Sequence, residues 1–363
     1  MLDFMEADRV FVAEKDAQIC HLQAQISELE KAISFLRAER QLAFERLSSY
    51  KYPVLTLPTE VTCEVFIRFL PLCPDFPPLV GLLSPINFTH ICRQWREIAL
   101  TTPDLWRSIN LTRSSLQGHT HAEVLVPLWL ERSGCLPLRI RAADVESESA
   151  PILPHIIPHY ARLEHLTLSL NDAEPLAAMK ASMPLLCSLN LWFGVRASDL
   201  IIFPHVPLLR TVILSDYGSP SIHLPWVQLT SLSLECIYAN RAMHILRQTA
   251  HLVHCGLHFW PMEDDELHDD LSDVTLPRLE SLVMDRDSAR DMDFFRAIVT
   301  PALLSLEISE QFLRSGSSPT KILETFISKS ACQLRELKIT NAVSGARPFL
   351  DAFPAIHVIR TTS

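Results

Sequence analysis

A six-residue pattern, apolar-x-x-apolar-x-apolar, recurs from Trp106 to Ile339 and constrains this 363-residue chain more than any other feature. It reads WRSINL at 106–111, CLPLRI at 135–140, LEHLTL at 163–168, LCSLNL at 186–191 and LRTVIL at 209–214. It continues as LTSLSL at 229–234, LVHCGL at 252–257, LESLVM at 279–284, LLSLEI at 303–308 and LRELKI at 334–339, with a weak last copy, IHVIRT, at 356–361. The ten full copies start 20 to 31 residues apart. Each offers one short strand with alternating inward and outward positions, followed by a return segment. One such unit cannot bury its apolar side alone, so neighbours must stack.

A period of this length with this pattern is the signature of leucine-rich repeats. The fold class expected is therefore α/β: an irregular leucine-rich-repeat solenoid with a curved parallel sheet over 107–363. Helical return segments are predicted at Ala122–Glu131, Glu174–Met183, Asn240–His251, Asp291–Val299 and Pro319–Lys329. Asn240 and Ser318 are candidate N-caps, and Pro319 suits a first helical position. The asparagine that usually closes such a repeat is present as Asn171, but Gly194, Tyr217, Ile237 and Trp260 replace it in the next four copies. Residues alternating with the leucines would face the concave side. Trp192, Glu235, His258, Asp285 and Glu307 are the target-binding candidates there, because aromatic and charged side chains anchor interfaces.

Composition narrows the function classes. Hydrophobic residues make up 48% and charged residues 20%, as in a folded chain. The net charge is −10 with no long basic run, which argues against nucleic-acid binding. The first residues lack the basic and apolar regions of a secretory signal, and no apolar run approaches the roughly 20 residues of a membrane span. The nine cysteines form no C-x-x-C pair, consistent with reduced thiols in the cytoplasm or nucleus. Eight glycines against 25 prolines leave no clustered Gly for phosphate or dinucleotide loops.

Residues 8–50 lack both Pro and Gly. Ile19, Leu22, Ile26, Leu29, Ile33 and Leu36 follow one another at spacings of three and four, a heptad seam that weakens at Arg40. Residues 1–50 are thus a helical coiled-coil region. It either packs back on the body of the chain or self-associates.

Pro53 ends that helix, and two amphipathic segments follow within 51–106. LPTEVTCEVFIRFLP opens the region, and INFTHICRQWREIALTTPDLW closes it. Between them, prolines at 71, 74, 77, 78 and 85 predict a loop, and Asn87–Ala99 is predicted as one helix. This region resembles an F-box. Leu57, Pro58, Glu60, Val61, Val65, Phe66, Phe69 and Leu70 carry the first half of the match. Ile91, Cys92, Trp95, Arg96, Ile98 and Ala99 carry the second, followed by Pro103, Leu105 and Trp106. The match covers about 50 residues, and its Leu70–Ile86 gap is longer and richer in Pro than in a compact F-box. With an upstream coiled coil and downstream repeats, the chain resembles the F-box proteins abundant in mushroom-forming fungi.

The resemblance implies an adaptor of an SCF-type cullin-RING ubiquitin ligase. It would bind a Skp-type adaptor, and through it a cullin, and present an unknown target protein. The adaptor-facing residues would be Leu57, Pro58, Glu60, Val61, Val65, Phe66, Ile91, Cys92 and Trp95, with the Trp95 role shared with an internal packing role. The alternative is a non-ligase repeat scaffold that self-associates through residues 8–50.

No catalytic role, cofactor or metal is expected. G-x-S-x-G, H-E-x-x-H and G-x-x-x-x-G-K are all missing. The H-L-V-H-C-G-L-H stretch at 251–258 invites a metal reading, but on a strand His254 and His258 would sit about 13 Å apart. The seven carboxylates between 262 and 273 lack the spacing of a calcium loop and read as a solvated inter-repeat loop.

Overall fold

The computed structural model describes residues 2–49, 53–71, 75–112, 122–142, 153–170, 182–193, 201–203, 205–215, 222–259, 272–286, 292–313, 318–341, 347–356 and 358–361. Asn171, Gly194, Tyr217, Trp260, most of the predicted helix at 174–183 and most of the acidic 262–273 stretch lie outside the described residues. The chain divides into two compact units, Met1–Thr62 and Cys63–Ser363.

The first unit is dominated by α1 (Leu2–Ser49), 48 residues long. At about 1.5 Å per residue it extends about 72 Å. The absence of Pro and Gly explains its continuity. Side-chain pairs one turn apart support it, including Lys31 with Glu28 at 3.3 Å and Gln41 with Glu45 at 3.0 Å. The six heptad residues are all exposed, between 48% and 63%.

The second unit is built on one eleven-stranded parallel sheet. Its strands are β1 (Ser108–Asn110), β2 (Leu138–Ala142), β3 (Leu163–Leu170), β4 (Ser188–Phe193), β5 (Thr211–Ser215) and β6 (Ser231–Ile237). They continue as β7 (His254–Phe259), β8 (Ser281–Arg286), β9 (Ser305–Ser309), β10 (Glu336–Thr340) and β11 (Val358–Thr361). Each strand pairs with its neighbours in chain order. Every hexad supplies one strand, and the weak copy at 356–361 supplies the last.

Register makes the hexad pattern a set of rows across the sheet. Leu166, Leu189, Val212, Leu232, Cys255, Leu282, Leu306 and Leu337 align in one row. Leu168, Leu191, Leu214, Leu234, Leu257, Met284, Ile308 and Ile339 align two positions on. Both rows are buried and belong to one apolar cluster running from Phe66 to Phe349. A backbone step repeats between copies: Cys187 N–H donates to Glu164 O at 2.8 Å, Arg210 to Cys187 at 3.0 Å and Ser305 to Glu280 at 2.9 Å. The first hexad position is buried in nine of the ten full copies, the exception being exposed Cys135, and is half-buried as Ile356 in the weak last copy.

Return segments vary. Helix Ala122–Arg132 follows β1, Ala239–Leu246 follows β6, Met292–Ala297 follows β8 and Pro319–Ser330 follows β9. Pro319 takes the first turn of its helix as expected. Asn240 is not the N-cap predicted for it: Tyr238 holds that position, and Asn240 Oδ1 accepts from the adjacent Arg241 N–H at 2.7 Å. That helix also ends at Leu246, earlier than periodicity suggested.

The helical segment preceding the sheet shares its core. It comprises α2 (Thr59–Phe69), whose first turn belongs to the first unit, α3 (Phe88–Ile91) and α4 (Arg93–Leu100). Trp106, fully buried in a short turn after α4, donates its Nε1–H to Ala99 O at 2.8 Å. Its ring meets Trp129 edge-on at 5.1 Å, and the Arg132 guanidinium lies over it. The Pro-rich gap is more than a loop. Asn110 N–H donates to Pro77 O at 2.9 Å, and Pro78 forms an isolated parallel bridge with Asn110. An open sheet edge invites pairing with other chains, and prolines suit an edge position because they offer no N–H.

Candidate interaction surfaces

The helical segment is organised around aromatic packing. Phe66 stacks on Phe88 with centroids 4.1 Å apart and planes 6° apart, and Trp95 meets Phe66 edge-on at 5.0 Å. Phe69 reaches the same Phe88 at 5.5 Å. The expectation that Phe66 faces a partner is therefore corrected: at 1% exposure it is the centre of this cluster. Amphipathic spacing placed it on the apolar stripe but could not say which part of the stripe is covered.

The predicted helix over Asn87–Ala99 is interrupted. Cys92 adopts an extended conformation, φ −154° and ψ 169°, and splits it into α3 and α4. Its Sγ accepts from the Trp95 backbone N–H at 3.4 Å, capping α4. Arg96 Nε–H donates to Thr89 O at 2.6 Å, bracing the break from the other side. Cys92 is half-buried, and Trp95 is half-buried against the core.

The remaining adaptor-facing candidates are exposed. In the first unit these are Leu57, Pro58, Glu60 and Val61. In the second, Val65 is 53% exposed and Ile91 is 59% exposed. Val61, Val65 and Phe69 recur at four-residue spacing on α2, and all three are exposed. Phe69, Leu82 and Leu83, which the resemblance does not make adaptor-facing, are exposed too, Leu82 at 88%. Two adjacent leucines after Gly81 and before Pro85, in a turn with no periodic reason for them, are the signal that could have found the last two.

On the sheet, all five target-binding candidates lie on the face opposite the leucine rows. Trp192, Glu235, His258 and Asp285 fall in a single row, separated by Ser215 between Trp192 and Glu235. Glu307 falls in the neighbouring row beside Gly256, Val283 and Lys338. Trp192 is exposed and donates its Nε1–H to Asn190 Oδ1 at 2.8 Å, which fixes the indole plane. Glu307 is paired with Lys338 Nζ at 2.7 Å.

Sequence inspection missed a charged cluster at the other end of this face. Glu164 Oε2 accepts from Arg107 Nη2 and Arg139 Nε, each at 2.9 Å. Burial would raise the Glu164 pKa, but the Arg139 hydrogen bond and charge, then the charges of Arg107 and His165, hold it below the ordinary value. His165, alongside, is pushed down by burial first and by Arg139 and Arg107, against the pull of Glu164. The three residues are brought together by register, so only their positions near the starts of successive strands announced them.

A cavity of about 290 Å³ lies between Met292–Ala297 and Pro319–Ser330. Stacked Phe295 and Phe326, 4.3 Å apart, line it together with Arg296, Lys321 and Lys329. Lys329 is committed to Asp273 at 2.7 Å and to Arg296 O at 2.6 Å. His254 and His258 lie four residues apart on β7, and His251 Nδ1 is 3.0 Å from Val227 O. Among the described residues no group of three or more His, Cys, Asp or Glu is placed to hold a metal ion. No helix of the described residues is long and apolar enough to cross a membrane. Burial pushes the Cys255 thiol, in the leucine row, up to about 12, so it behaves as a small apolar side chain. No family model and no curated protein matches this chain.

Proposed function

We propose that this chain is the substrate-recognition adaptor of an SCF-type cullin-RING ubiquitin ligase. Residues 57–106 act as the F-box that docks a Skp-type adaptor. The repeats after Trp106 form an irregular leucine-rich-repeat solenoid that holds a target protein. The chain performs no chemistry. It raises the local concentration of the target near the ubiquitin donor.

The observation that carries this reading is the exposed apolar set on a rigid aromatic base. Val65, Phe69 and Ile91 lie on helices pinned from beneath by Phe66, Phe88 and Trp95. Exposed apolar side chains grouped on one segment mark interaction surfaces, and aromatic packing beneath them removes the entropic cost of ordering on binding. Leu57, Pro58, Glu60 and Val61 extend the docking set, and Cys92 and Trp95 shape it from within. Phe66 supports it only as its foundation.

Target recognition falls to the polar sheet face, where Trp192, Glu235, His258 and Asp285 form one row and Glu307 flanks it. Strands that follow chain order, each carrying its leucines to the same side, suit a stacked-repeat platform.

Co-expression with a Skp-type adaptor tests the first half. Wild type is expected to retain the adaptor through affinity purification, and the Leu57→Ala, Val65→Ala double variant to weaken binding at least about ten-fold. Trp192→Ala on the sheet serves as the control that leaves adaptor binding intact. Equal, poor recovery by wild type and double variant sinks the reading.

A further inference from the structure

We propose that α1 pairs with α1 of a second copy of this chain as a parallel, in-register, two-stranded coiled coil. This rests on the first unit alone and stands or falls independently of the ligase reading.

The residue types at the seam choose the partner. Written as heptads, Ile19, Ile26 and Ile33 occupy every a position, and Leu22, Leu29 and Leu36 every d position, across the central three heptads. β-branched residues at a with leucine at d select two parallel strands, whereas isoleucine at both or the reverse order selects higher states. An antiparallel pair would set a against d and lose that segregation. Val12 and Leu47 extend the a positions outward, past Lys15 at d and Arg40 at a, whose long stems can turn their charges to water. A strict seven-residue repeat on a continuous helix drifts by about 20° per heptad and so imposes a left-handed supercoil.

Charge and area agree. In the parallel register Gln18 faces the partner's Gln23, and Gln25 faces the partner's Glu30, so no like charges oppose across the central e and g positions. From Val12 to Leu47 the seam runs about 53 Å, and a strip about 10 Å wide covers roughly 1,000 Å² over both copies. That meets the minimum of about 1,000 Å² that a biological interface should clear. The seam side chains are available for it, since all six are about half exposed or more.

Sedimentation of the full chain at tens of micromolar tests the proposal. Wild type is expected at twice the 41.1 kDa chain mass. Ile26→Glu with Leu29→Glu is expected to sediment as a monomer. Ile26→Ala with Leu29→Ala, which keeps helix propensity, is expected to weaken the dimer at least ten-fold. Ala24→Glu with Ser34→Glu, on the outer face, is expected to leave it intact. For orientation, Ile19→Cys in a Cys20→Ser background is expected to give an oxidised covalent dimer, which Cys20→Ser alone does not. Parallel strands bring the two positions together, while antiparallel strands part them by about 25 Å. A monomeric wild type, a trimer mass, a dimer that survives the seam variants or falls to the outer-face variant, or no cross-link at position 19 would each overturn it.

Discussion

Leu29 and Leu232 are the same residue in regular secondary structure, yet one is 63% exposed and the other 1%. The first lies on a 48-residue helix whose apolar residues repeat in heptads, and the second on a strand whose apolar residues repeat every two. A strand row finds its cover in the next copy of the same pattern, about 20 to 31 residues on. A heptad seam on a single helix has no such internal neighbour in its own sequence. Burial here follows from what the period can be matched against rather than from hydrophobicity.

The comparison can be broken most sharply where the two fates adjoin. Phe66→Ala is expected to cost about 3–5 kcal/mol in chemical unfolding, while neighbouring Val65→Ala is expected to stay within about 0.5 kcal/mol. Comparable losses for both would mean that α2 has no distinct inner and outer faces. Next in size, Leu232→Ala is expected to destabilise the second unit by about 2–5 kcal/mol. Leu29→Ala should leave that unit's unfolding midpoint in urea unchanged.

The sheet's polar face sharpens the contrast with electrostatics. Glu164→Gln is expected to cost about 1–3 kcal/mol at neutral pH, because Arg107 and Arg139 lose their shared carboxylate. Both Glu164 and His165 have folded pKa values below their ordinary 4.5 and 6.5. In each case the unfolded chain binds the proton first, so the stability each contributes is present above the ordinary value and lost as pH falls. Urea melts should show loss beginning near pH 6.5 from His165 and steepening below about 4.5 from Glu164, and Glu164→Gln should abolish the lower step. Smallest of all, Gly256→Ala would set its Cβ 3.0 Å from Ser233 Oγ. A serine hydroxyl can turn aside, so a loss under about 1 kcal/mol is expected, and a larger one would mean that this face is packed more rigidly than Ser233 suggests.

Most of the strand positions were legible, because a hexad such as LTSLSL states both the strand and its inward side. The one continuous helix was legible from the absence of Pro and Gly. The site was less so. Phe66 and Val65 are adjacent apolar residues, and nothing local tells which will be covered. Cys92 reads as one more apolar position in a helix, yet it is the residue at which that helix breaks. Pro77 and Pro78 read as loop formers, yet they pair with the first strand. Glu164 reads as an exposed strand residue, and only register sets two guanidiniums beside it.

The sequence by itself determined the periods: seven on α1, two within each strand and 20 to 31 between strands. These are properties of neighbouring residues and need no knowledge of the rest of the chain. Tertiary structure alone decided which apolar faces are closed, where the aromatic cluster under α2 forms, what covers the first edge of the sheet and which charges meet. Each of those outcomes depends on groups 10 to 60 residues apart, such as Arg107 and Glu164 or Pro77 and Asn110, and only the folded register brings them within bonding distance.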